Sequence, residues 1–182
     1  MKLNIGCGKK HLKGYVNCDR EKCVKPDKIV DLEKRLPFKD NTIEEVIGNH
    51  VLACVTNFIP LMHELRRVCK DGALLKFTVP FYSSVGAFSD PLHVRFFTPF
   101  SFDYFAKNEE LLYEAKSESD MFQINKVKLH FGIGSAKKFN WLLDVFLNLN
   151  HRFYCRTIAS ICPAAEIEFE LEVIKPWTWE VQ

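Results

Sequence analysis

The first eight residues constrain the fold more than any later stretch of this chain. Apolar Leu3 and Ile5 alternate with polar neighbours, and the run stops at Gly6, Cys7 and Gly8. This pattern predicts a buried strand that delivers a tight backbone turn to one edge of a sheet. Small-molecule cofactors are often held at such turns, although glycines after a strand also mark plain turns. The residues that follow decide between the two.

The chain returns to the sheet after an unusually short connection. A second strand is predicted over residues 15–19, and its terminal acid, Asp19, follows Gly8 by eleven positions. The dinucleotide-binding fingerprint places its acid about 20 residues on and needs a third glycine, where this chain has His11. The first crossover helix is therefore missing or reduced to a turn. This disfavours a nicotinamide-dependent oxidoreductase, which remains an alternative.

The chain continues with alternating strands and helices. A strand, a helix and a strand in succession imply parallel pairing, because the connection must cross over the sheet. Thr56 or Asn57 can cap the helix of that unit. The predicted elements are strands over residues 28–32, 43–48 and 73–80 and an amphipathic helix over 58–69.

Beyond residue 80 the pattern is less regular. Residues 81–97 have no clear periodicity, which indicates an ordered loop, and a short helix follows; together they form a substrate-loop region of about 81–105. A last strand over 165–174 alternates apolar residues with glutamates, as an antiparallel strand near a sheet edge does. Between them, a strand is predicted over 123–130 and helices within about 137–162.

Composition indicates one ordinary globular domain spanning residues 1–182. Hydrophobic residues make up 47% and charged residues 26%, which is typical of folded chains and not of disordered ones. The net charge of +2, without a basic block, argues against a nucleic-acid partner. No apolar run approaches the ~20 residues of a membrane span, so no membrane is expected.

The seven cysteines predict reduced thiols. Their number is odd, and neither a Cys-x-x-Cys pair nor zinc-ligand spacing occurs among them, so we expect no metal site. The chain enters its first strand at once, without a secretory signal. A cytoplasmic location is therefore expected, since thiols stay reduced there.

Six stretches, mostly in the first half of the chain, carry recognisable motifs. They are LNIGCG (3–8), NCD (17–19), DL (31–32), LPFKDN (36–41), ELRRVCKDG (64–72) and DPLHVRFFT (90–98). In that order they resemble the class I S-adenosylmethionine-dependent methyltransferases, nearest to a small bacterial and archaeal subgroup with a shortened first crossover. The resemblance implies an α/β, Rossmann-like doubly wound sheet of seven strands in the order 3-2-1-4-5-7-6, with strand 7 antiparallel and the early crossover helices shortened.

The resemblance also implies how S-adenosyl-L-methionine is bound. The glycine turn would approach its methionine portion, Asp19 its ribose diol, and Asp31 with Leu32 its adenine. A carboxylate suits the diol because it can accept a hydrogen bond from both hydroxyls. The predicted cofactor-binding residues are Gly6, Cys7, Gly8, Asp19, Asp31, Leu32 and Asn49.

Substrate handling is predicted at two places. His50, at a strand end, is a candidate catalytic residue, although a hydrogen-bonded structural histidine fits the sequence equally well. His93, as a catalytic or substrate-binding residue, and Tyr82 and Arg95, as substrate-binding residues, lie in the loop after strand 5. Arg95 can bind a carboxylate or phosphate, or pair with Asp90 within the loop. The methyl acceptor is expected to be a small molecule.

Three questions stay open from the sequence. Ala53 and Cys54 stand where the family commonly has a glutamate and a histidine, so a methyltransferase-like module that binds the cofactor without turnover is an alternative. The shortened crossovers would leave a sheet face for the C-terminal helices or a second subunit to cover, so a homodimer is one option. The aromatic residues between 81 and 105 fit either core or pocket lining, and core is favoured.

Overall fold

A computed structural model describes residues 1–106, 121–132 and 141–175. Its centre is a seven-stranded sheet in the order β3-β2-β1-β4-β5-β7-β6. The strands are β1 (Lys2–Ile5), β2 (Val16–Asp19), β3 (Lys28–Ile29), β4 (Ile43–Asn49), β5 (Cys69–Pro80), β6 (Phe122–His130) and β7 (Glu166–Val173). The helices are α1 (Phe58–Val68), α2 (Val85–Ser89), α3 (Trp141–Leu147) and α4 (His151–Thr157).

The strand directions confirm the predicted fold. The strands from β3 through β5 pair in parallel, whereas β7 lies antiparallel between β5 and β6. The alternation in β7 has the expected cause, because Ile167, Phe169, Leu171 and Val173 are all buried on one face. The glutamates between them point to the opposite face.

Two buried asparagines take the place of a first crossover helix. The connection between β1 and β2 contains turns only, as predicted. The Asn4 amide donates to the Lys10 carbonyl and to Asn17 Oδ1, both at 2.9 Å, and the Leu12 N–H donates to the same Asn17 oxygen at 2.7 Å. These bonds satisfy the polar groups that a short connection leaves over the sheet. The second crossover holds only a 3₁₀ turn, Lys22–Val24.

Strand β5 begins earlier than the sequence predicted. Cys69, directly after α1, already has extended backbone and pairs with Ile43 of β4. The register then shifts before pairing resumes at Leu74, and Gly72 within this irregular stretch adopts φ +72. The glycine therefore serves a bulge in the strand and not the end of the helix, because its conformation is open to few other residues.

Two of the sequence motifs meet on α1. Glu64 accepts from the Leu36 N–H at 2.8 Å, and Arg67 donates to the Leu36 carbonyl at 3.0 Å and to the Phe38 carbonyl at 3.1 Å. Glu64 and Arg67 are themselves paired at 2.7 Å. Together they fix the turn at residues 36–38, which follows β3.

Aromatic rings cover one face of the sheet, called the apolar face below. Phe102 packs against Phe169 of β7 at a centroid distance of 4.6 Å and against Phe58 of α1 at 5.7 Å. The predicted helix after residue 97 is instead a series of turns ending in a 3₁₀ turn, Asp103–Phe105. The favoured core role is confirmed for the rings that are at most 1% exposed, which are Phe81, Phe97, Phe102 and Phe105.

Charged side chains dominate the opposite face, called the polar face below. Glu45 of β4 lies between Lys2 and Lys76, with its carboxylate oxygens 2.6 Å and 2.8 Å from their ammonium nitrogens. On β6 and β7, Lys126 lies 3.9 Å from Glu168. Ion pairs therefore connect β1, β4 and β5, and also β6 and β7, across this face.

The C-terminal helices turn polar groups inward. Asp144 of α3 accepts from the Phe131 N–H at 2.8 Å and lies 3.0 Å from His130 Nδ1. The apolar side chains Leu143, Phe146 and Leu149 of this stretch do not lie in the core, because they are 40%, 52% and 74% exposed. Phe139 and the side chain of Leu142 lie outside the described residues. No helix in the described ranges is long and apolar enough to cross a membrane.

Candidate functional site

A cavity of about 430 Å³ lies at the carboxyl ends of β1, β2 and β4. Ligand sites in open parallel sheets occur at this edge, and the volume is in the range of small-molecule pockets. The cavity brings together eight of the predicted site residues, which are Gly6, Gly8, Asp19, Asp31, Leu32, Asn49, His50 and His93. Its other lining residues are Arg20, Glu21, Val30, Glu33, Val51, Cys54, Val55, Asp90 and Leu92.

The glycine turn after β1 approaches its surroundings too closely for a side chain. Gly6 has φ +58, and a Cβ added there would lie 2.2 Å from a methyl carbon of Val51. Gly8 has φ +49, and its N–H donates to Asp19 Oδ2 at 2.9 Å. The turn therefore presents backbone to the cavity, as the sequence predicted from the Gly-x-Gly pattern.

Asp19 is held ready to accept hydrogen bonds. One carboxylate oxygen accepts from Gly8, and the other accepts from the Glu21 N–H at 3.0 Å. These two bonds fix the orientation of the carboxylate at the end of β2. Each oxygen keeps a further acceptor site, so the group can still bind two hydroxyls.

Asp31 and Glu33 border the cavity beyond β3. The Glu33 N–H donates to Asp31 Oδ1 at 3.1 Å, and this bond, with Lys34, lowers the pKa of the Asp31 carboxyl. The Glu33 carboxylate accepts from the Thr56 and Asn57 N–H groups at 2.6 and 2.9 Å. It thereby does the capping that the sequence assigned to Thr56 or Asn57, whereas the Asn57 side chain makes no cap bond.

His50 is paired with a buried carboxylate. Its backbone adopts φ +58 directly after β4, and its N–H donates to the Thr78 carbonyl at 2.7 Å. Its ring Nε2 lies 3.1 Å from an oxygen of Glu166, a residue only 5% exposed at the start of β7. This partner was not predictable from local sequence patterns, because the two residues are 116 positions apart.

His93 enters the cavity from the loop after β5. Its neighbours there are Cys54 and Asp90, and one potential ligand atom from each of the three lies within 4.8 Å of the others. Burial, and secondarily the charge of Asp90, raise the pKa of the Cys54 thiol.

Three predicted site residues do not line the cavity. The Tyr82 hydroxyl donates to the Cys155 carbonyl of α4 at 3.3 Å. The Arg95 guanidinium lies 4.9 Å from the Phe58 ring centroid and donates to the Thr56 carbonyl at 2.9 Å. Cys7 is 5% exposed, its thiol directed at the backbone of its own turn.

The cavity is acidic. Among the described residues that line it, five carry carboxylates and one, Arg20, carries a guanidinium. Arg20 Nε is itself 3.2 Å from a carboxylate oxygen of Glu21. A cleft lined mainly by one sign of charge attracts ligands of the opposite sign, so this lining favours a cation. The acidic residues are Asp19, Glu21, Asp31, Glu33 and Asp90.

No protein-family model matches the chain, and no curated protein matches it by sequence. Solved structures match its fold. An S-adenosylmethionine-dependent methyltransferase from Archaeoglobus fulgidus is 12% identical with a TM-score of 0.58, and the match covers 94% of this chain and 85% of that protein. A proposed methyltransferase from Bacillus halodurans is 16% identical with a TM-score of 0.56, over 96% of this chain and 92% of that protein.

These similarities show that the chain has the fold of the class I S-adenosylmethionine-dependent methyltransferases, as the six motifs predicted. A third solved structure with this fold is a [4+2]-cyclase, 14% identical with a TM-score of 0.55, matched over 95% of this chain and 75% of that protein. Because one fold can carry different reactions, the reaction must be argued from the residues of the site.

Proposed function

We propose that the protein is an S-adenosylmethionine-dependent methyltransferase that acts on a small-molecule acceptor. The acidic cavity at the end of β1, β2 and β4 carries this proposal. S-adenosylmethionine bears a permanent positive charge on its sulfonium, which such a lining favours. A nicotinamide dinucleotide brings an anionic pyrophosphate, which needs helix N–H groups or cations, and no helix follows Gly8 before β2.

In this proposal, residues around the cavity bind the three parts of the cofactor. The glycine turn, with its exposed backbone, faces the methionine portion, and Asp19 accepts from the ribose hydroxyls. Asp31 accepts from the adenine amine, and Leu32, packed against the core, offers an apolar surface to the ring. Asn49, at the end of β4, lines the cavity beside the glycine turn.

Methyl transfer requires alignment of the acceptor, the methyl group and the sulfur. Positioning of this kind can supply ~7–11 kcal/mol of the barrier. In our proposal His50 takes the acceptor's proton. Because Glu166 can only accept when ionised, its contact with Nε2 places the ring proton there and leaves Nδ1 as the basic nitrogen. His93 faces the acceptor from the loop after β5. Tyr82 and Arg95, which bond to other parts of the chain, support that loop.

Calorimetry with purified protein tests the cofactor directly. We expect S-adenosylmethionine and S-adenosylhomocysteine to bind at one site. Asp19→Asn should weaken binding 10- to 100-fold, because a hydrogen bond to a charged group contributes about 1.5–3 kcal/mol. The matched control is Asp71→Asn, an exposed aspartate at the β5 bulge, which should bind as the wild type does.

Other results of these binding and activity measurements would support the alternative functions. Binding of NAD in place of S-adenosylmethionine would support the oxidoreductase alternative. Tight cofactor binding without methyl transfer to any acceptor would support the binding module suggested by Ala53 and Cys54. The acceptor class, a cytoplasmic location and a homodimer are predictions from the sequence, and the first is tested by S-adenosylhomocysteine release with panels of small molecules.

A further inference from the structure

Three side chains of different chemistry meet at one wall of the cavity. Cys54 comes from the turn after β4, and Asp90 and His93 come from the loop after β5. One sulfur, oxygen or nitrogen atom from each lies within 4.8 Å of the other two. All three residues line the cavity. A thiol, a carboxylate and an imidazole together form a donor set typical of transition-metal sites.

Backbone hydrogen bonds hold the two segments together at this point. The Ala53 carbonyl, next to Cys54, accepts from the Val94 N–H at 2.9 Å and from the Arg95 N–H at 3.2 Å. Within the loop, the His93 N–H donates to the Asp90 carbonyl at 3.1 Å, which closes a turn. These backbone bonds therefore bring the two segments that carry the three donors together.

One nitrogen of the His93 ring contacts the backbone, which leaves the other available to a metal. Its Nδ1 lies 3.2 Å from the Ala87 carbonyl oxygen. Because a carbonyl can only accept, Nδ1 carries the proton and Nε2 keeps its lone pair. Histidines that bind metals commonly donate their second ring N–H to a backbone carbonyl in this way.

We propose that Cys54, Asp90 and His93 bind a zinc ion, with a fourth coordination position open to the cavity. Zinc accepts all three donor types and uses three protein ligands plus an open position in catalytic sites, whereas magnesium and calcium prefer oxygen donors throughout. Zinc–ligand bonds of about 2.0–2.3 Å separate neighbouring donor atoms by about 3.5 Å. The three donor atoms must therefore move about 1 Å closer together to bind the ion. All three side chains are at least partly exposed, which leaves room for that movement.

The open position gives the metal a role in the same cavity. An acceptor oxygen or sulfur bound there would be lowered in pKa and held within reach of the cofactor. Metal binding itself does not depend on the proposed methyl transfer; only this role does.

Cobalt(II) is a suitable probe because it has visible spectra in sites that hold zinc. Protein stripped with a chelator should bind one equivalent of cobalt with a thiolate charge-transfer band in the near ultraviolet, and one equivalent of zinc should displace it. Cys54→Ser should abolish the band. Cys54→Ser, Asp90→Asn and His93→Gln should each weaken zinc binding at least about 100-fold, since loss of mere supporting groups costs 10- to 100-fold. Exposed residues elsewhere supply the matched controls, Cys23→Ser and His63→Gln, which should bind as the wild type does.

The proposal is wrong if the stripped protein takes up no stoichiometric cobalt or zinc. It is equally wrong if Cys54→Ser or His93→Gln, folded by circular dichroism, binds zinc with unchanged affinity, or if Cys23→Ser loses the band. Calorimetry of the metal-free protein with S-adenosylmethionine is read separately, so that failure of the cofactor proposal and failure of the metal proposal are distinguishable.

Discussion

The two faces of the sheet are stabilised by different kinds of interaction. On the apolar face, Phe58, Phe102 and Phe169 pack ring against ring between α1, the segment before residue 106 and β7. On the polar face, Glu45 is held between two lysines, and Glu166 extends to His50. Burial of aromatic surface contributes far more to stability than partly exposed ion pairs do. Stability therefore depends mainly on the apolar face, which leaves the polar face free to carry chemistry.

The candidate site lies at the carboxyl ends of the strands, at the edge of the sheet where the two faces meet. There the connections after β1 and β2 contain no α-helix, and hydrogen bonds between side chains and backbone hold the turns instead. Asp19 fixes the turn at Gly8, and Glu33 fixes the start of α1. Such polar contacts hold the carboxylates of Asp19 and Glu33 at the surface of the cavity.

The largest expected effect is on the apolar face. Phe102→Ala removes a ring that contacts five other phenylalanines. We therefore expect the free energy of unfolding to fall by about 3–5 kcal/mol, as it does for other buried phenylalanines. Urea unfolding followed by circular dichroism measures this. The control is Phe88→Ala, which removes an equal ring that is 66% exposed and stacked only on the surface ring of Phe96 among its described ring contacts. Equal losses for the two would contradict the assignment of stability to the apolar face.

The second largest effect is expected on kcat and not on stability. His50→Gln keeps a hydrogen-bonding side chain beside Glu166 but cannot take a proton, so kcat should fall about 100-fold or more. The stability and the affinity for S-adenosylmethionine should change little, because the ring is about 40% exposed. Release of S-adenosylhomocysteine with any acceptor that supports turnover gives kcat.

His63→Gln, on the exposed side of α1, is the control for that experiment. If His50→Gln retained wild-type kcat while losing several kcal/mol of stability, His50 would be a structural residue, the reading that the sequence left open.

Local patterns predicted most of the fold. Alternation marked β1, β4 and β7, and helical spacing marked α1, because each signal depends only on neighbours along the chain. The Gly-x-Gly turn and the acid eleven positions later placed Asp19 at the cavity for the same reason. The length of β3 and the start of β5 were less well predicted, since pairing partners decide where a strand ends.

Contacts between distant residues were out of reach. Glu33 caps α1 from 23 positions away, and Glu166 meets His50 across 116 positions, with no periodic trace of either. The sequence did not decide which side of α3 faces the sheet; in the structure Asp144 faces inward and bonds to His130 and to the Phe131 N–H. The expectation of no metal site used cysteine spacing alone, which cannot detect donors from two separate segments.

The smallest expected effect is the pH-dependent loss of stability when an ion pair of the polar face is removed. Hydrogen bonds from Lys2 and Lys76 lower the pKa of Glu45 to about 2 from an ordinary 4.5. A carboxyl whose folded pKa is lowered stabilises the fold above its unfolded pKa and loses that stabilisation as the pH falls toward the folded value. Both lysines are partly exposed, so we expect Glu45→Gln to cost about 1 kcal/mol at pH 6, with the cost shrinking from about pH 4.5 toward pH 2. Urea midpoints of the two proteins across this range measure it. A cost that stayed constant with pH would mean that Glu45 acts by packing, and the polar face would then resemble the apolar face in kind.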